Sequence, residues 1–104
     1  MSEPAPRTSF RIDAAHPALP GHFPGAPIVP GVVVLERVLE AAERALGPQV
    51  RLRGVPQVKF LSPLQPGVEA DIVLGVAPDG VRFVVSVASV TIAQGLLALD
   101  GALR

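Results

Sequence analysis

The sequence predicts an α+β domain, one helix laid on a mainly antiparallel sheet, and three observations predict it. A single amphipathic stretch of helical period runs from Gly31 to Leu46. Four strand-like runs follow it, separated by proline- and glycine-containing turns, and one short alternating stretch precedes it. Strand, helix and then strands in succession is the order of a helix packed on one face of an antiparallel sheet.

At 104 residues the chain is expected to form one domain over residues 8–104, with residues 1–7 as a loose, proline-rich terminus. Nearly half the residues are apolar but few are aromatic, so the core must be filled by Val, Leu, Ile and Ala, which suit strands. Nine basic residues balance nine acidic ones, which supplies no footprint for nucleic acid or an anionic membrane. The absence of cysteine excludes disulfides, thiolate metal sites and a cysteine nucleophile. The first seven residues lack the pattern of a signal peptide, and no apolar run is long enough to span a membrane, so a cytoplasmic protein is expected.

Thr8 to Asp13 alternates, placing Phe10 and Ile12 on one strand face. Five prolines from Pro17 to Pro30 then impose an ordered, extended loop. Pro30 is suited to the first turn of the helix, and Gly47-Pro48 ends it. The helix is about 24 Å long at 1.5 Å per residue. Leu35, Val38, Leu39, Ala42 and Leu46 form its apolar stripe, with Arg37, Glu40 and Arg44 opposite and Glu36 at the border. Glu40 and Arg44 stand in the favourable i, i+4 order. Val32 to Leu35 are apolar all round and need cover on every side, which calls for a second subunit as well as the sheet.

The remaining strands are predicted over Val50–Phe60, with a break at Pro56, then Val68–Ala77, Val81–Ile92 and Leu96–Leu103. Pro66-Gly67, Pro78-Asp79-Gly80 and Gln94-Gly95 are the predicted turns, the last two closing hairpins.

Chemistry concentrates between Gly21 and Glu36. His22 lies in the rigid segment Gly21-His22-Phe23-Pro24-Gly25, and histidine alone takes and returns a proton near neutrality with an unperturbed side chain. It is either a positioned general base or a loop histidine bonded to a carbonyl, the reading kept for His16. Glu36 follows fourteen residues later. It is either an ordinary solvated residue or, beside the apolar run, a carboxylate in a partly dry place, where such groups tend to hold their proton and serve as acids. The helix starts at Pro30-Gly31-Val32 without Ser, Thr, Asp or Asn to cap it. Its first N–H groups are free for a substrate carbonyl oxygen unless Gly31 or water caps them.

Gly21-His22-Phe23-Pro24-Gly25, Pro27, Pro30-Gly31-Val32 and Leu35-Glu36 resemble the signature of the 3-hydroxyacyl-acyl-carrier-protein dehydratases of fatty acid synthesis, which have the hotdog fold. Lys59-Phe60, Pro63, Pro66-Gly67 and a closing hairpin at Gln94-Gly95 extend the resemblance over residues 10–104. It implies that His22 is the base at C2 of a 3-hydroxyacyl thioester and that Glu36 helps the 3-hydroxyl leave as water. It further implies that the Gly31 N–H polarises the carbonyl, that the Ile28 backbone orients His22, and that Phe23, Pro30 and Val32 contact substrate. The thioester is expected on acyl carrier protein or coenzyme A, in homodimers whose sites are shared. No cofactor or metal enters the scheme.

Three departures qualify what the resemblance implies. Only 21 residues precede His22, so five strands are expected without the family's amino-terminal helix and strand. The link after the helix is cut to about Gly47-Pro48-Gln49, which removes a gating loop over the acyl tunnel. Leu61-Ser62 stands where the family carries basic residues, leaving Arg51, Arg53, Lys59 or Arg82 for carrier docking unless these are ordinary surface residues. A stand-alone dehydratase of a secondary lipid or polyene pathway is thus the leading reading. A hotdog thioesterase and a silent acyl-binding or partner subunit are the alternatives.

Overall fold

The computed structural model describes residues 7–16, 28–47 and 51–100. Its elements are β1 (Arg7–Arg11), α1 (Gly31–Leu46), β2 (Arg51–Phe60), β3 (Glu69–Ala77), β4 (Gly80–Val87) and β5 (Val90–Asp100). All five strands form one antiparallel sheet in the order β1-β3-β4-β5-β2. The helix therefore joins the two edge strands, and the chain must cross one face of the sheet to do so. This is the hotdog arrangement that the resemblance implies.

Side-chain periodicity sets which residues meet in the core. From α1, Val33, Val34, Val38, Ala41 and Ala42 are buried. From β3 and β4 the alternate residues Ala70, Ile72, Leu74 and Val81, Phe83, Val85 come up beneath them, with Ile92 and Leu97 of β5. Leu35, Leu39 and Leu46 of the predicted stripe pack against this core while partly buried. Among the described residues no helix is long and apolar enough to cross a membrane.

The helix bounds agree with expectation. Pro30 stands just outside the first turn as the N-cap, and Gly47, at φ 91°, closes the helix with its N–H donating to the Glu43 carbonyl oxygen at 3.0 Å. Glu40 pairs with Arg37 at 3.0 Å rather than with Arg44. β1 begins one residue before the predicted strand and ends at Arg11, although Ile12 is still buried. Pro56 does not break β2. The strand runs on through it, but its pairing with β5 is irregular there: the register shifts on both sides of Gly54, and the second shift spans Val55 and Pro56, an irregularity an edge strand tolerates. Pro66-Gly67 and Pro78-Asp79 turn as predicted, with Gly67 at φ 82°.

The final hairpin differs from the prediction. The turn falls at Ala88-Ser89, between the paired residues Val87 and Val90, and Gln94-Gly95 lies inside β5. Ala88 and Ser89 have φ of 46° and 73°, the sense that two-residue hairpins need for strands of right-handed twist. Neither residue advertises such a turn. Gly95 has a different role: it pairs with Phe83, and a Cβ there would sit 2.1 Å from the Gln57 carbonyl oxygen and 2.9 Å from the Phe83 ring. The glycine lets the largest core side chain and the β2 backbone both close on β5.

Two stability measurements check this account. Replacing Ala88-Ser89 by Asn-Gly removes left-handed strain and is expected to stabilise the chain by about 1 kcal/mol in urea unfolding. Gly95→Ala, which forces backbone as well as ring to move, is expected to cost more than about 2 kcal/mol.

Candidate functional site

The site is built around the start of α1. Pro30, extended at φ −60° and ψ 145°, supplies no side-chain cap, and no acidic residue occupies the first turn. The Val33 and Val34 N–H groups donate to the Pro30 carbonyl oxygen at 3.0 and 3.3 Å. Those of Gly31 and Val32 have no acceptor among the described residues. Among the described residues the positive end of the helix is thus uncompensated, with two donors that have no acceptor. The approach to it is fixed by the buried Val29, whose N–H donates to the Leu64 carbonyl oxygen at 2.8 Å.

Gly31, though not Val32, borders a cleft of about 570 Å³. One wall is Ile28 to Gly31; the other is Phe60 to Leu64, the end of β2 and the segment beyond it; buried Val34 and Ile92 also line it. Ile92 fixes the second wall, its carbonyl oxygen accepting the Leu61 and Ser62 N–H groups at 2.8 and 3.3 Å. Among the described lining residues only Ser62 has a polar side chain. An apolar cleft of this size bordered by the Gly31 N–H suits an acyl chain with its carbonyl at the helix start.

The tip of the Phe60 ring points at Gly31. A Cβ built on Gly31 would lie 2.7 Å from the ring Cζ and 3.0 Å from both Cε atoms. Glycine at this position does more than leave the helix uncapped: it admits the ring.

Of the predicted site residues, Ile28, Pro30 and Gly31 come together on the cleft. Val32 and Glu36 do not line it. They are one turn apart on the same side of α1, where Val32 is 64% exposed and Glu36 is exposed. Within one chain Val33 and Val34 are buried and Val32 is not, so the cover expected for Val32 is left to a second subunit. His22 and Phe23 lie outside the described residues. His16 is half-buried, its N–H donating to the Asp13 carbonyl oxygen at 2.9 Å. Arg51, Arg53, Lys59 and Arg82 are exposed. Sequence reasoning missed Leu61, Ser62, Leu64 and Ile92 as lining. The available signal was Phe60-Leu61, two large apolar residues in succession at a strand end, where alternation can bury only one.

Fold and site together define a hotdog domain with an apolar cleft opening on its helix start. A family model described as ApeI-like, the ApeI dehydratase, matches residues 2–96, and the chain belongs to that family. It is 36% identical over 96 residues to the 3-hydroxyacyl-[acyl-carrier-protein] dehydratase FabZ of Chlamydia trachomatis serovar L2, covering 79% of this chain and 63% of that protein. It thus spans less than two thirds of that relative. Against the Haemophilus influenzae FabZ the identity is 29% over 100 residues, covering 88% of this chain and 67% of the other. Among solved structures, a chain of the dehydratase heterocomplex ApeI:P from Xenorhabdus doucetiae superposes with a TM-score of 0.75 at 28% identity, covering 94% and 91% of the two chains. An acyl-CoA hydrolase from Staphylococcus aureus, at TM-score 0.68 and 17% identity over 94% of this chain and 63% of that one, shares the fold.

Gly31→Ala is expected to turn the Phe60 ring aside rather than unfold the chain, because the obstacle is the free end of a half-exposed side chain and alanine favours the helix. Its stability should stay within about 1 kcal/mol of the parent, in contrast to Gly95→Ala.

Proposed function

We propose that this protein is a dehydratase that removes water from a 3-hydroxyacyl thioester, carried on acyl carrier protein or coenzyme A, to give the trans-2-enoyl thioester. The observation that carries the reading is the uncapped helix start at Gly31 opening on an apolar cleft, in a chain of the ApeI-like dehydratase family. The acyl carbonyl oxygen accepts from the Gly31 N–H, and the alkyl chain lies in the cleft. His22 takes the proton from C2, and negative charge grows on the carbonyl oxygen, where the helix end stabilises it. As the C2–C3 double bond forms, the C3–O bond breaks and Glu36, in its acid form, protonates the departing hydroxyl, which leaves as water. The proton gained by His22 then returns, through solvent or directly, to Glu36.

A homodimer with shared sites is part of the proposal. The exposed pair Val32 and Glu36 is an apolar residue and a carboxylate on one helix face, away from the cleft of their own chain. A second copy laid on that face would cover Val32, and shared sites require it to bring its own His22 to this Glu36. The unpaired outer edge of β2 offers a second line of contact.

The test supplies purified protein with a 3-hydroxydecanoyl thioester and follows enoyl absorbance and free thiol together. Enoyl formation is expected, with His22→Ala and Glu36→Gln each reducing it by about 10²- to 10⁴-fold while the chain stays folded. Thiol release that persists in His22→Ala would replace the dehydratase with a thioesterase, and neither product would leave a non-catalytic subunit. The molecular mass in solution is expected to be at least that of a dimer. A monomer active only when mixed with a second hotdog chain would replace the homodimer with a heterocomplex.

A further inference from the structure

Phe60 occupies an unusual position for a large apolar side chain. It is the last residue of β2, an edge strand, so no further strand covers it on one side, and it is 49% exposed. Its ring nevertheless has a defined seat. It reaches from the β2 wall of the cleft to the helix start, and its tip comes so close to Gly31 that only glycine leaves room. The ring thereby bridges the two walls beside Gly31. Beyond it the lining changes from exposed Phe60 and Leu61 to the buried Val34, Leu64 and Ile92. A chain whose carbonyl sits at Gly31 must run beside this ring to reach that inner lining.

We propose that Phe60 is a specificity-determining residue of the acyl site, its ring narrowing the passage beside Gly31 and so setting which acyl chains reach the inner cleft. The inference rests on the dehydratase reading for its substrate class and on the Phe60–Gly31 contact for its geometry. The bulk of the ring beside Gly31 restricts entry to the inner lining, which a longer acyl chain needs and a butanoyl group does not. A smaller side chain widens the passage without touching the helix donors.

The experiment has two arms. In the first, the parent, Phe60→Ala and Phe60→Leu proteins are given the 3-hydroxybutanoyl and 3-hydroxydecanoyl thioesters of pantetheine, and the ratio of kcat/KM values is compared. Phe60→Ala is expected to shift the ratio toward the longer chain by about tenfold, with Phe60→Leu between it and the parent. A ratio unchanged within about twofold in both variants overturns the proposal.

The second arm needs no turnover. The sequence contains no tryptophan or tyrosine, so Phe60→Trp places a single reporter in the passage. Its emission is expected to move to shorter wavelength on adding decanoyl-pantetheine and to stay fixed with acetyl-pantetheine. Emission that ignores the decanoyl probe overturns the proposal, whether or not calorimetry shows that the parent binds it. If no protein forms enoyl product but the emission shifts, the dehydratase reading fails while Phe60 retains its place on the acyl path.

Discussion

Everything about the candidate site depends on how α1 begins. A helix of this length ordinarily neutralises its first N–H groups with a polar cap, but here the entering residues are Val29 and Pro30, and the first turn holds neither a capping side chain nor a carboxylate. The chain accepts that omission because the entry is secured in other ways. Pro30 fixes its own φ, its carbonyl oxygen takes the third and fourth N–H groups, and the Val29 N–H is held by Leu64. What remains among the described residues is the Gly31 N–H, without an acceptor on a cleft with apolar walls, where hydrogen bonds to a carbonyl are worth more than in water. Gly31 belongs to the same constraint. Its missing side chain lets Phe60 close on the helix start, so the donor and the wall beside it are specified by one residue.

The sheet order supplies the second wall. Because the helix links the edge strands β1 and β2, the end of β2 arrives beside the start of the helix from the opposite side of the fold. β5 then holds that end in place, pairing Phe60 with Ala93 and giving the Ile92 carbonyl to the two residues beyond. Gly95 has a comparable role deeper in the core, since its lack of a Cβ lets Phe83 and the β2 backbone approach the same strand. Two glycines in different elements thus admit two phenylalanines, one to fill the core and one to shape the cleft.

Much of this was legible in the sequence. The helix from Gly31 to Leu46 could be read because its period, its preceding proline and its terminal glycine agree, and local signals of that kind survive in the fold. The antiparallel sheet followed from alternating runs and from the Pro66-Gly67 and Pro78-Asp79 turns. The last hairpin was not legible, because Ala88 and Ser89 adopt positive φ under the pull of strand pairing, whereas Gly95 looks like a turn residue and is a packing residue. Pro56 was legible in part: it marks an irregular stretch of pairing but does not end the strand, because β2 is an edge, which only the topology decides. The uncapped helix start was visible, but its cleft was not, since that depends on contacts between Gly31, Phe60 and Ile92, residues far apart in the chain.

The central claim is that the bare start of α1 binds and polarises an acyl carbonyl, and difference infrared spectroscopy tests it directly. A decanoyl thioester of pantetheine, carbon-13 labelled at the carbonyl and lacking the 3-hydroxyl so that it cannot react, gives one assignable band when bound. This band is predicted to move to lower frequency than in water, because the Gly31 N–H at the positive end of a helix weakens the C=O bond more than solvent does. A bound carbonyl band at or above its frequency in water would contradict it.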